Sequence, residues 1–151
     1  MGERQNYSFQ NPWRPSEHLV AGVLAGGQSR RLGRDKALIE WRQRSLVEWS
    51  LMRAGSITPE VYLLAKGQGQ YRHFEVPLLP DLYSTPSPIS GILTIAPFVK
   101  SWLLLLACDI VIFTDELLPY LWRQREPGKA VVVRSEEGLQ PLLAYYPAEH
   151  I

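Results

Sequence analysis

Thiols, imidazoles and surplus charge are all scarce in this chain of 151 residues. The single cysteine, Cys108, rules out an internal disulfide and fits a reducing compartment. A thiol nucleophile would want a histidine partner, and His18, His73 and His150 belong to no recognisable catalytic motif, so Cys108 reads as a small buried apolar residue without chemistry. Lys and Arg number 16 against 15 Asp and Glu, a formal net charge of +1. That balance excludes bulk electrostatic coating of nucleic acid or membrane and leaves only local charge to be informative. No apolar run approaches the ~20 residues of a membrane span, and Met1 to Leu19 is polar and aromatic rather than a basic head with a hydrophobic core. A soluble, cytoplasmic chain is expected, with no nucleic-acid or membrane partner.

What is present is apolar content, at 46%, enough for one domain with a sizeable core and too short a chain for two. Residues 1–18, with Pro12 and Pro15, read as a flexible N-terminal arm on which Tyr7 and Trp13 are free to dock. Residues 19–151 read as the domain. Leu19 to Ala25, Val61 to Ala65, Val76 to Leu79, Trp102 to Cys108, Ala130 to Val133 and Leu139 to Tyr146 are the expected strands. The first and fourth lack polar alternation, as strands buried on both faces do. Ala37 to Trp41 is expected as a short extended piece. Ser45 and Glu48 have capping-box spacing for a helix closing at Gly55. Further helices are expected over Ile89 to Val99, bent or ended by Pro97, and from a Thr114 cap to about Arg125. Strands alternating with helices imply an α/β fold, a three-layer αβα sandwich with a mostly parallel, Rossmann-like sheet and right-handed crossovers.

The loop Leu24-Ala25-Gly26-Gly27-Gln28-Ser29-Arg30-Arg31-Leu32-Gly33-Arg34-Asp35-Lys36 leaves the carboxyl end of the first strand. Gly26 and Gly27 lack a Cβ, so their N–H groups can approach a bulky anion. Arg30, Arg31, Arg34 and Lys36 add planar forks and a point charge suited to a triphosphate. A P-loop is excluded because Gly33 is followed by Arg34 and the Gly27 to Gly33 spacing is one too long; Gly-x-Gly-x-x-Gly is also absent. In open α/β sheets ligands sit at the strands' carboxyl ends, where this loop, Asp81 and Asp109 all fall. A carboxylate directly after an apolar strand needs a partner. For Asp109 that is a bound Mg²⁺ completed by substrate phosphates, or a helix cap, or an arginine; spacing alone does not choose.

The loop resembles the Leu-Ala-Gly-Gly-x-Ser-x-Arg-Met-Gly-x-Asp-Lys signature of the molybdenum cofactor guanylyltransferases, with Leu32 where Met is usual. Leu106-Ala107-Cys108-Asp109 is similar to the family strand whose Asp carries magnesium. Asp81 matches an acid after the third strand, and Ser87-Pro88-Ile89-Ser90-Gly91 resembles the Gly-Pro-Leu-x-Gly loop near guanine, with Ser87 replacing a Gly. Leu64-Ala65-Lys66 lacks an Asn that relatives often place there, and Gly138-Leu139-Gln140-Pro141-Leu142 resembles Gly-x-x-Gln-Pro-Leu on the pterin side. As bare sequence, Gln-Pro signals only a bulge or an edge strand.

The resemblance implies transfer of GMP from GTP to the phosphate of molybdopterin, with release of pyrophosphate and Mg²⁺ as cofactor. It implies nucleotide contacts from Leu24, Ala25, Gly26, Gly27, Lys36, Asp81, Gly91 and Asp109, catalytic roles for Arg31, Lys36 and Asp109, and substrate contacts from Gln140 and Pro141. Implied protein partners are molybdenum cofactor biosynthesis proteins or acceptor molybdoenzymes. Family members usually continue beyond the position of Ile151 through more helix and strand, which with Ser87 leaves open a catalytically incomplete nucleotide-binding relative; a related transferase using CTP or a sugar phosphate also stays open.

Overall fold

The computed structural model describes residues 15–25, 33–67, 69–80, 87–110 and 112–151. Six strands form the main sheet: β1 (Leu19–Leu24), β4 (Val61–Ala65), β5 (Leu78–Pro80), β6 (Trp102–Ala107), β7 (Val131–Ser135) and β8 (Gly138–Pro147). Between β1 and β4 lie a two-stranded hairpin, β2 (Glu40–Trp41) with β3 (Arg44–Ser45), and helix α1 (Leu46–Ile57); α2 (Pro88–Ile95) and α3 (Leu117–Arg123) follow later. The sheet order is β5-β4-β1-β6-β8-β7. β5, β4, β1 and β6 are parallel, whereas β8 runs antiparallel to both β6 and β7.

The two apolar runs occupy the centre because both of their faces are covered. Val20, Leu103 and Leu105 pack on one face with Ile95 of α2. Ala21, Val23, Leu104 and Leu106 pack on the other with Val47 and Leu51 of α1 and Leu118 and Trp122 of α3. Two glycines bring α2 onto β1: a Cβ on Gly22 would lie 2.9 Å from Ile95 Cδ1, and one on Gly91 would lie 2.6 Å from Leu24 Cδ2.

The Ser45 capping box is present, with Ser45 N–H donating to Glu48 Oε2 at 2.7 Å. α1 nevertheless passes Gly55 and ends at Ile57, followed by Thr58, whose hydroxyl donates to the Leu19 carbonyl at 2.7 Å. Tertiary anchoring outweighs the glycine stop signal. Pro97 cannot donate to the preceding turn, so α2 stops at Ile95 and continues as a 3-10 turn over Ala96–Phe98. Thr114 is not a side-chain cap: Leu117 N–H donates to its backbone carbonyl at 3.1 Å, and the helix, with Glu116 at its N-cap position, begins two residues later than expected and ends at Arg123. Ala37 to Trp41 is extended only from Ile39 onward, where Glu40–Trp41 is β2. Lys36–Leu38 forms a 3-10 turn with Ala37 buried, and the chain then enters the hairpin, whose turn residues Arg42 and Gln43 have φ of 51° and 65°.

At the amino ends of β1 and β6, Glu17 accepts from Trp102 Nε1 at 2.8 Å and from Arg125 Nη2 at 2.9 Å, and His18 meets Glu60 at 3.0 Å. The segment read as an arm is thus tied to the sheet at its last two residues. The Arg125 hydrogen bond, then that of Trp102, holds the Glu17 carboxyl below its ordinary 4.5. A depressed carboxyl stabilises the fold above its unfolded-state pKa and loses that contribution as pH falls through the folded value. Unfolding midpoints measured from pH 6 to 3 are therefore expected to fall less steeply in Glu17→Gln than in the parent; identical slopes would remove Glu17 from the acid response.

Among the described residues, no helix is long and apolar enough to cross a membrane.

Candidate active site

The chain winds outward from β1 through β4 to β5, then returns to place β6 on the opposite side of β1. This reversal makes the carboxyl ends of β1 and β6 a topological switch point, the place where open α/β sheets bind their ligands. Backbone bonds prolong the sheet into that edge: Ala25 N–H donates to Leu64 O at 2.9 Å, and Cys108 N–H donates to Leu24 O at 3.0 Å. Leu24 and Ala25, where the basic loop leaves, are therefore held beside the Cys108-Asp109 turn.

Asp109 is exposed on that rim, one residue beyond buried Cys108. Lys36 is exposed at the start of its 3-10 turn. No ion pair among the described residues engages either. The turn is fixed from below by Asp35, which accepts from Ala37 N–H at 3.0 Å through Oδ1. Its Oδ2 accepts from Gln70 Nε2 at 3.2 Å and from the Tyr71 hydroxyl. Gln70 and Tyr71 come from a 3-10 turn, Gly69–Tyr71, that follows β4. Loops after three adjacent strands thus converge on one locus. Burial, then the nearby Asp109 and Asp35 charges, push the Cys108 thiol up to about 12. A protonated buried thiol is no nucleophile, in keeping with the role read from the sequence.

Gln140 and Pro141 reach this edge from β8. Leu106 pairs with Leu143, so the β8 residues preceding Leu143 run past the carboxyl end of β6. Opposite Val132 and Val133 the register jumps from Ala144 to Gln140, which puts Pro141 in an irregularity of the ladder. Proline has no N–H to donate there, and its carbonyl accepts from the Tyr146 hydroxyl at 2.6 Å. Gln140 Nε2 donates to Ser135 Oγ at 3.0 Å. Gly91 lies on α2 against Leu24, the last residue of β1, and its lack of a side chain permits that close approach at the carboxyl end of the strand. Ser87 caps α2, its hydroxyl accepting from Ile89 N–H at 3.2 Å. Gly26, Gly27, Arg30, Arg31 and Asp81 lie outside the described residues. The clamp of Gln70 and Tyr71 on Asp35 was missed in the sequence, where the only signal was a large aromatic in an otherwise Gly- and Gln-rich loop.

A family model, the MobA-like NTP transferase domain, matches residues 21–151. The chain belongs to this family. Relatives named "probable molybdenum cofactor guanylyltransferase" include one from Nostoc sp., 35% identical over 138 residues, covering 85% of this chain and 66% of the relative. The Pelotomaculum thermopropionicum protein of the same name is 34% identical over 131 residues, covering 82% and 61%. The chain therefore spans somewhat less than two thirds of the length of these relatives. Among solved structures, molybdopterin-guanine dinucleotide biosynthesis protein A from Archaeoglobus fulgidus superposes with a TM-score of 0.67 at 24% identity, covering 85% of this chain and 67% of that one. A nucleotidyl transferase from Methanothermobacter gives 0.64 at 15%, covering 87% and 72%. At these identities the superpositions establish the nucleotidyltransferase fold.

Proposed function

We propose that this domain transfers GMP from GTP to the terminal phosphate of molybdopterin, forming a guanine dinucleotide and releasing pyrophosphate. The observation that carries the reading is the placement of Lys36 and Asp109 around the carboxyl ends of adjacent strands at the sheet's switch point. The names of the relatives supply the substrates.

In the reaction an acceptor phosphate oxygen attacks the α-phosphorus of GTP, the bond from that phosphorus to the bridging β-phosphate oxygen breaks, and pyrophosphate carries away the electron pair. Such displacement asks the protein for positioning and charge neutralisation rather than covalent chemistry. Lys36, with the amides of Gly26 and Gly27, holds the triphosphate, and Arg31 balances charge that grows on the leaving pyrophosphate. Gln140 and Pro141 stand on the acceptor side. Asp109, an exposed carboxylate with no ion-pair partner among the described residues, suits Mg²⁺, which takes one or two carboxylates together with phosphate oxygens and water. When bound there the ion neutralises phosphate charge.

Ser87 favours attention to a second reading, a transferase using CTP. Its hydroxyl is occupied in capping α2, within the stretch that resembles the family's Gly-Pro-Leu-x-Gly loop with serine in place of the first glycine. Competition among GTP, CTP and ATP separates the two, because phosphate contacts are common to all and only the base loop discriminates. With Mg²⁺ present, GTP is expected to bind at least roughly tenfold more tightly than either competitor, a difference of about 1.4 kcal/mol. Equal affinities would remove guanine specificity, and preference for CTP would favour the second reading. Dinucleotide product formed from molybdopterin and GTP tests the transfer itself.

A further inference from the structure

We propose that Tyr71, assisted by Gln70, is a positioning residue for the triphosphate: it holds the Asp35 carboxylate away from Lys36 and so keeps the ammonium available to anionic substrate. The proposal rests on the nucleotide-binding reading of Lys36 given above.

Asp35 and Lys36 are adjacent in sequence, and a carboxylate beside a lysine is an internal competitor for that cation. The geometry removes the competitor. Asp35 Oδ1 is engaged by the Ala37 N–H at 3.0 Å, and Oδ2 by Gln70 Nε2 at 3.2 Å and by the Tyr71 hydroxyl. Three donors, one from the turn itself and two from the loop after β4, engage the carboxylate, and hydrogen bonds to an ionised acceptor are the stronger kind. Tyr71 is itself closely held, 1% exposed, with its ring tilted beside that of Phe74 at a centroid distance of 6.4 Å. Its hydroxyl is held protonated, chiefly by burial and then by its bond to Asp35, so it serves as a lasting donor. Ala37, buried on the next residue, pins the other end of the turn. Lys36 is thus exposed between two anchored neighbours. Because Tyr71 follows β4 while Lys36 follows β1, the clamp also fixes the spacing of two loops whose strands are neighbours in the sheet.

A residue that acts through Lys36 has a signature that a merely structural one lacks. Its removal should matter only while Lys36 is present. Calorimetric titration with GTP and Mg²⁺, repeated with magnesium tripolyphosphate as a probe without a base, would be carried out on the parent, Tyr71→Phe, Lys36→Ala and the double variant. Phenylalanine keeps the ring and removes only the hydroxyl. Tyr71→Phe is expected to weaken both ligands about tenfold, Lys36→Ala more, and the double variant no more than Lys36→Ala alone. Parent-like binding by Tyr71→Phe, or losses that multiply in the double variant, would overturn the positioning role while leaving Lys36 as the triphosphate ligand. Undiminished binding by Lys36→Ala, or no binding of either probe by folded parent, would overturn the nucleotide-site reading and the positioning role with it.

Discussion

Asp109→Ala is expected to lower the rate of dinucleotide formation about a thousandfold and to abolish the Mg²⁺ dependence of GTP binding, while leaving the unfolding midpoint within a degree or two of the parent. The first part follows from where charge develops. In nucleotidyl transfer the phosphates carry the reacting charge, and removing one group that neutralises it typically costs two to three orders of magnitude. The second part follows from exposure: Asp109 stands on the rim, outside the buried run of β6, with no ion-pair partner among the described residues, and exposed substitutions of that kind usually shift stability by less than about 0.5 kcal/mol. Lys36→Ala is expected to act at the same site in a different manner, weakening GTP whether or not metal is present. Calorimetry with and without Mg²⁺, beside single-turnover product assays, distinguishes them. Parent-like turnover in Asp109→Ala would exclude it as the metal ligand, and a large fall in its midpoint would show that its role is structural.

The parts of this site that sequence made legible are those in which one local pattern fixes both structure and position. Trp102 to Ala107 has no polar residue, so its place in the sheet's centre, and the emergence of Asp109 at its carboxyl end, follow from the run itself. Ser45 and Glu48 likewise announce α1 through their spacing. What failed was anything decided by a partner distant in sequence. α1 outruns Gly55 because Thr58 finds the carbonyl of Leu19, 39 residues away. The chain turns over Lys36–Leu38 before it extends, and Asp35, which caps that turn, is itself held by Gln70 and Tyr71, 35 and 36 residues away. Tyr71 carries no motif at all; only the fold brings it from the loop after β4 to the carboxylate beside Lys36. A signature identifies which residues matter, whereas the reason that they hold their geometry resides in contacts that no local period encodes.

The largest expected change in stability lies at the other end of the sheet. Trp122, 4% exposed, packs edge-on against Trp102 with centroids 6.0 Å apart and against Tyr145 at 5.3 Å, and the Arg125 guanidinium lies 3.3 Å from its ring centre. Trp122→Ala would remove a large core side chain, typically worth about 3–5 kcal/mol, together with aromatic pairs worth roughly 0.5–1.5 kcal/mol each. It would also withdraw the surface on which Arg125 rests while that arginine holds Glu17. Against a total stability of about 5–15 kcal/mol this is a severe loss, and for a chain of this size the midpoint should fall by about 10 °C or more. Trp122→Phe, which keeps an aromatic edge against both neighbours, should recover much of it. Trp102 is the first residue of β6 whereas Asp109 lies past its last, so the cluster and the candidate site occupy opposite edges of the sheet. Binding of GTP per folded molecule should accordingly match the parent at temperatures where Trp122→Ala remains folded. A loss of affinity there would mean that the packing of α3 on β6 and β8 reaches the rim, and a midpoint within 3 °C of the parent would remove this cluster from the stabilising core.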